Sequence, residues 1–237
     1  ALLVSMTPVQ AAAPVVQGPE AVTDWYNAGN QFIADAKKLA PNTRRAKNVI
    51  FFLGDGMGPT TVTASRIYKY GESGALGMES LRRTARIRTN SLDAQTTDSA
   101  PSMSAYMTGV KMNNEVISMS ADTKAYNGST PYISGANSTC PASGNGTAAT
   151  TLLELSKAAG KVVGAVTTTR ITHATPAATY AHICHRDGEN DIASQLVPGS
   201  GKFNAALKDG VDVVLGGGSR HFLPKSASGS KRTDETD

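Results

Sequence analysis

The chain has 237 residues, enough for one sizeable core, with 40% hydrophobic and 18% charged residues, a balance that excludes an intrinsically disordered chain. Its net charge of +4 is spread among acids rather than gathered in a stripe. The densest basic run, Arg82, Arg83, Arg86 and Arg88, lacks the interleaved aromatics of a single-strand binder; it reads as a solvated face, and no nucleic-acid specificity is expected.

The chain opens with "ALLVSMTPVQAAA", an apolar stretch ending in small residues. It reads either as a signal-peptide remnant over residues 1–13 or as a native tail. The first reading sends the protein out of the cytoplasm, to a periplasmic or extracellular location. No later stretch approaches the ~20 apolar residues that span a bilayer, so no transmembrane segment is expected. Strand and helix patterns then alternate. "NVIFFL" reads as a buried strand and "PTTVTASRIYKYG" as a helix entered at Pro59 and left at Gly71. "TTDSAPSMSAYMTGVK" predicts a second helix, with Pro101 in its first turn and Gly109 as its stop. The Gly-, Ser- and Asn-rich segment from Asp122 to Thr147 predicts a long surface excursion. "ATTLLELSKAAG" follows as a helix, "KVVGAVT" as a strand, "NDIASQL" as a helix and "VDVVLGGG" as a strand. The alternation predicts an α/β fold with a largely parallel central sheet flanked by helices. Cys140 and Cys184 suit one disulfide in an oxidising compartment, but their spacing does not establish that they meet.

Three stretches carry chemistry. In "GDGMG", Asp55 stands among glycines at the end of the first strand pattern, where α/β sheets bind ligands. A lone carboxylate there repels bare phosphate but suits a hard cation; the plain alternative is a structural turn. In "TDSAPS", Ser99 falls at a helix start, where free N–H groups stabilise negative charge. With no histidine near it in sequence, metal activation is its natural route to nucleophilicity, and capping by Asp98 or Ser99 is the alternative. In "TTTRITHATPAATYAHICHR", His173 and Thr175 offer an imidazole and a hydroxyl to a metal or its waters. Thr175 also suits the cap of a helix whose first position is Pro176. Arg186 offers a planar fork for two phosphate oxygens, or a surface charge. His182 and His185 read as helix surface or core rather than ligands.

The blocks "AKNVIFFLGDGMG", "TDSAPSMSAYMTGVK", "VGAVTTTRITHATPAATYAH" and "DVVLGGGSRHFLP", in that order from about Asp24 to Pro224, resemble the alkaline phosphatases. The resemblance implies metal-dependent hydrolysis of phosphate monoesters through a phosphoserine on Ser99, releasing inorganic phosphate and an alcohol. It implies Arg186 as the phosphate clamp and Asp98 as the acid positioning that arginine. It implies Asp55 bridging zinc and magnesium, Thr175 as a magnesium ligand, and His173 beside magnesium's bound waters. Two Zn²⁺, one Mg²⁺ and a homodimer are implied for the complete enzyme. Cys140 lies near a cysteine of the animal enzymes, whereas Cys184 does not match that cysteine's usual partner.

The family's remaining metal ligands fall downstream of the last matching block, and none of the four histidines has their spacing. Residues 14–237 therefore read as the N-terminal part of a single alkaline-phosphatase-like domain. An alternative is a non-catalytic, phosphate-binding or inactive fragment lacking the downstream zinc ligands.

Overall fold

The computed structural model describes residues 22–38, 43–81 and 83–235, with side chains from residue 26 onward. The signal-peptide reading of residues 1–13, and Arg82 of the basic run, lie outside the described residues. The chain divides into two units, Ala1–Arg86 and Ile87–Asp237.

In the first unit, helix α1 spans Val22–Lys37 and helix α2 spans Pro59–Tyr70. Pro59 enters α2 at its first position, where a missing N–H costs nothing. Gly71 ends it at φ 76°, its N–H returning to the Ile67 carbonyl at 3.0 Å. Arg66 of α2 pairs with Glu79, in the 3₁₀ turn Gly77–Ser80, at 2.5 Å. The run Asn48–Leu53 corrects the expectation of a buried strand. It has no strand partner among the described residues, and Val49 and Phe52 are 79% and 88% exposed. A strand satisfies its N–H and C=O groups only through a neighbour, so an apolar run alone does not make one.

In the second unit, helix α3 spans Ser99–Thr108, capped by Asp98 and stopped by Gly109 at φ 74°. The excursion after it carries two short hairpins, β1 (Tyr126–Asn127) with β2 (Thr130–Pro131), and β3 (Ile133–Ser134) with β4 (Asn137–Ser138). Helix α4, Leu152–Ala158, starts in a capping box. Thr151 N–H donates to Glu154 Oε2 at 2.6 Å, and Glu154 N–H donates to Thr151 Oγ1 at 3.2 Å. Strand β5, Gly164–Arg170, is followed by helices α5, Ala174–Ala177, and α6, Glu189–Leu196, then by strand β6, Val213–Gly217.

Strands β5 and β6 pair in parallel from Gly164 opposite Val213, with an irregularity before Arg170 opposite Gly217. This is the parallel pairing present among the described residues. The sequence pattern placed the first of these strands three residues earlier, on Lys161–Thr167; the pairing with β6 sets its true start. Ile117, Tyr180, Ile192 and Leu207 are fully buried and form the core with Met103 and Met107 of α3. Burying each such side chain contributes about 1.5–3 kcal/mol. The Tyr180 hydroxyl donates to the Ile171 carbonyl at 2.8 Å, so the buried ring brings no orphaned polar group.

Two links hold the strip from Ile183 to Arg186 in place. Ile117 and Ile183 exchange N–H···O bonds of 3.0 Å, and Arg186 N–H donates to the Glu115 carbonyl at 2.8 Å. Cys140 and Cys184 form a disulfide, which ties the hairpin segment to the same strip.

This disulfide, joining positions 44 residues apart, removes closure entropy from the unfolded chain. Cys184→Ser, or reductant, should lower unfolding free energy by about 2–4 kcal/mol in urea titrations. A change inside error would show that the pairing is energetically idle.

A buried pair sets a second expectation. His182 Nε2 lies 2.7 Å from Glu154 Oε1 and its Nδ1 lies 2.6 Å from the Ser118 carbonyl, while Asn204 Nδ2 donates to the same Glu154 oxygen at 2.6 Å. Two acceptors facing both ring nitrogens favour the charged imidazole. Burial alone would raise the Glu154 carboxyl, but hydrogen bonds from His182, Asn204 and the Thr151 N–H outweigh it and hold it at about 2. Burial likewise works against charge on His182, yet its bonds to Glu154 and the Ser118 carbonyl raise it above the ordinary 6.5. The Glu154 contribution is complete above its ordinary 4.5 and is lost as pH falls toward about 2. The His182 contribution is complete below 6.5 and is lost as pH rises through its raised value. The stability lost on His182→Gln, read from urea midpoints, should therefore be larger at about pH 6 than at about pH 9; a pH-independent loss would refute this.

Candidate active site

The site is assembled at the N-terminus of α3. Asp98 is extended (φ −94°, ψ 178°), and its Oδ2 accepts the Ala100 N–H at 3.3 Å. Ser99 thereby becomes the first residue of a ten-residue helix, with the positive end of the helix dipole beside its hydroxyl.

Arg186 converges on the same point. Its Nη1 donates to Asp98 Oδ2 at 2.6 Å and to Ser99 Oγ at 2.9 Å. Its Nη2 lies 3.1 Å from His173 Nε2. Arginine has only donors, so Nε2 is the acceptor and the neutral ring carries its proton on Nδ1. One Asp98 oxygen, Oδ2, thus both caps α3 and pairs with Arg186.

His173 and Thr175 sit at α5, but not as the sequence pattern suggested. The N-cap is His173, the helix is Ala174–Ala177, and Thr175 is its second residue rather than its cap. Pro176 did not mark the first position because the opening N–H groups of a helix have no partner within it, so proline is tolerated throughout the first turn. His182 and His185 lie outside regular helix: His182 is the partner of Glu154, and His185 is 3% exposed.

Asp55 belongs to the other unit. It is exposed, in a turn closed by Met57 N–H to the Gly54 carbonyl at 3.2 Å. Gly56 follows at φ 63°, a conformation that glycine adopts without strain.

Glu115 was not singled out by sequence. Its N–H donates to Asp98 Oδ1 at 3.0 Å, its carbonyl accepts from Arg186 N–H at 2.8 Å, and its carboxylate stands 4.0 Å from Arg186 Nε. It holds φ 69°, a left-handed conformation uncommon for a non-glycine residue and stabilised here by those two backbone bonds. Burial pushes its carboxyl up; the charge of Asp98 adds to this, and Arg186 opposes it. The one available hint was the preceding pair Asn113-Asn114, residues common in turns.

The alkaline phosphatase family model matches residues 46–237, and the chain belongs to that family. It is 39% identical over 223 residues to the tissue-nonspecific alkaline phosphatase of Mus musculus and 40% identical over 223 residues to that of Homo sapiens. In both matches 85% of this chain and 38% of the relative are covered. Among solved structures it resembles the alkaline phosphatase of the Antarctic bacterium TAB5, with a TM-score of 0.52 and 25% identity over 74% of this chain and 40% of that one. A variant of the TAB5 enzyme with Mg bound in its M3 site matches with a TM-score of 0.54 and 26% identity, covering 77% of this chain and 40% of that one. The chain thus spans 38% of the length of those two curated relatives.

Asp98→Ala removes the cap and should cost about 1 kcal/mol on that account alone, more with the pairing to Arg186 lost. Asp98→Asn, which caps as well, should lose less stability in the same urea titration, so the two variants separate capping from charge pairing. Equal losses would show that capping contributes nothing.

Proposed function

We propose that this chain carries the nucleophile and phosphate clamp of a metal-dependent phosphomonoesterase. The observation that carries the reading is Arg186 Nη1 held between Asp98 Oδ2 and Ser99 Oγ, at 2.6 and 2.9 Å. A guanidinium fixed against a serine at a helix N-terminus matches the position of a phosphoryl group attacked by that serine. Ser99 Oγ forms a bond to phosphorus, the ester P–O bond breaks, and the alcohol leaves with a proton. Water then attacks the phosphoserine, releasing inorganic phosphate and restoring the hydroxyl. Arg186 holds the equatorial oxygens through both steps, Asp98 orients Arg186, and the start of α3 stabilises the developing charge. Because the grip is on phosphate rather than on the alcohol, the substrates are phosphate monoesters of varied leaving group.

Thr175 and His173 in the second unit, a hydroxyl and an imidazole, and Asp55 in the first, a carboxylate, are each of a donor type that suits Mg²⁺ or its bound waters. Of the four donors that a tetrahedral Zn²⁺ takes, the family resemblance places two in this chain, Asp55 and Ser99. Bound metal would supply Lewis-acid chemistry, lowering the pKa of a hydroxyl or water. Within the same reading, residues 14–237 form part of one domain whose largely parallel central sheet includes β5 and β6, and the enzyme is an exported homodimer. The Cys140–Cys184 disulfide supports an oxidising compartment. Among the described residues no helix is long and apolar enough to cross a membrane.

The test is p-nitrophenyl phosphate hydrolysis at alkaline pH with added Zn²⁺ and Mg²⁺. Ser99→Ala should lower turnover by a factor on the order of 10³ or more, Arg186→Lys by roughly 10²–10³, and chelation should abolish it. Folded, metal-loaded protein that binds phosphate without turnover would replace the enzymatic reading with the non-catalytic one.

A further inference from the structure

Beside Arg186, on residues that the family comparison leaves without a role, Glu115, His185 and Asp187 bring two carboxylate oxygens and one ring nitrogen within 4.8 Å of one another. The three arrive from separate constraints. Glu115 is turned into place by its left-handed backbone and its bond to Asp98. His185 follows the disulfide-bonded Cys184, and its ring meets the edge of Tyr126 at 5.5 Å between centroids. Asp187 is exposed and closes the cluster on the solvent side.

What the three lack is as informative. His185 is only 3% exposed, yet its ring accepts only a long 3.2 Å bond, from Asp187 N–H to Nδ1. Among the described residues neither the Glu115 nor the Asp187 carboxylate accepts a hydrogen bond, and the nearest cation to Glu115 is Arg186 Nε at 4.0 Å. A buried imidazole normally finds strong partners, and two carboxylates normally avoid each other unless a cation lies between them. Arg186 is already committed to Asp98, Ser99 and His173. The field is correspondingly negative: the Tyr126 phenol is pushed up by burial and then by Glu115, Asp187, Asp98 and Asp93. Burial favours the neutral form of His185, the form that ligates metals.

We propose that Glu115, His185 and Asp187, none of them among the family-implied ligands Asp55, Thr175 and His173, form a divalent-cation site that binds Zn²⁺ through one nitrogen and two oxygens. One imidazole and two carboxylates with an open solvent side are a donor set that zinc accepts, water completing the coordination. The ion would cancel the two carboxylates that oppose an incoming phosphate at Arg186. Its binding does not depend on hydrolysis.

The experiment is Zn²⁺ titration of the full chain by calorimetry in competition with a chromophoric chelator. It is carried out in an Asp55→Asn background, which removes the carboxylate of the family metal set. One equivalent should remain bound in that background. Asp187→Asn, an exposed change whose fold is checked by circular dichroism, should weaken it by on the order of tenfold or more, and Glu115→Gln should do the same. Zinc binding that is absent in the Asp55→Asn background, or unchanged by both further substitutions, would overturn the site.

Discussion

The Asp98 carboxylate is the contact on which the site depends. Its Oδ2 caps α3 and takes Arg186 Nη1, and its Oδ1 takes the Glu115 N–H. One side chain thus sets where the helix begins, and so where Ser99 points, where the arginine lies, and the backbone of a loop 17 residues on. A carboxylate with several lone pairs meets these demands together without leaving a donor unpaired. The arrangement is costly to change piecemeal, since any replacement must cap, accept from the backbone and carry charge.

The second constraint is the short antiparallel contact between Ile117 and Ile183, continued by the bond from Arg186 to Glu115. It brings together segments more than sixty residues apart in sequence. The neighbouring disulfide and the buried Tyr180 tie the same region further. An arginine side chain has many rotamers, and freezing it costs up to about 2 kcal/mol. Anchoring its backbone on Glu115 and its head on Asp98 meets that cost during folding, before any ligand arrives. This is preorganisation in its physical sense.

What the sequence made legible depends on the range of each signal. Helices α2 and α3 were readable because proline and glycine punctuate them locally. Ser99, Asp98 and Arg186 were readable as a set through the family resemblance, and the structure brings them within hydrogen-bonding distance of one another. Glu115 was not readable, because its importance lies in backbone bonds to residues 17 positions before it and 71 after it. The start of α5 was misplaced for the opposite reason: Pro176 is a local signal compatible with several first-turn positions. Asn48–Leu53 shows the limit of apolar pattern, since β-rich composition states a preference that only a paired neighbour fulfils.

Arg170 and Arg186 meet their partners in different ways. Arg170 places Nε and Nη2 on Glu189 at 2.8 Å each, and Thr172 and His221 complete that carboxylate at 2.6 and 3.1 Å. Burial would raise Glu189, but those hydrogen bonds hold it well below the ordinary range. The cluster is saturated: a bidentate fork meets a carboxylate with no capacity left, and a ligand would have to break it to enter. Arg186 spreads its bonds over an acid, a serine and an imidazole, and among the described residues its Nε has no closer acceptor than Glu115 at 4.0 Å. Its Nη1 is shared by two acceptors, so one can yield to an incoming oxygen without stranding the guanidinium. The difference between the two arginines lies in their acceptors rather than in unclaimed donors: Arg170 closes on one saturated carboxylate, whereas Arg186 is held beside Ser99 by three separate groups, the placement on which the proposed phosphate clamp rests.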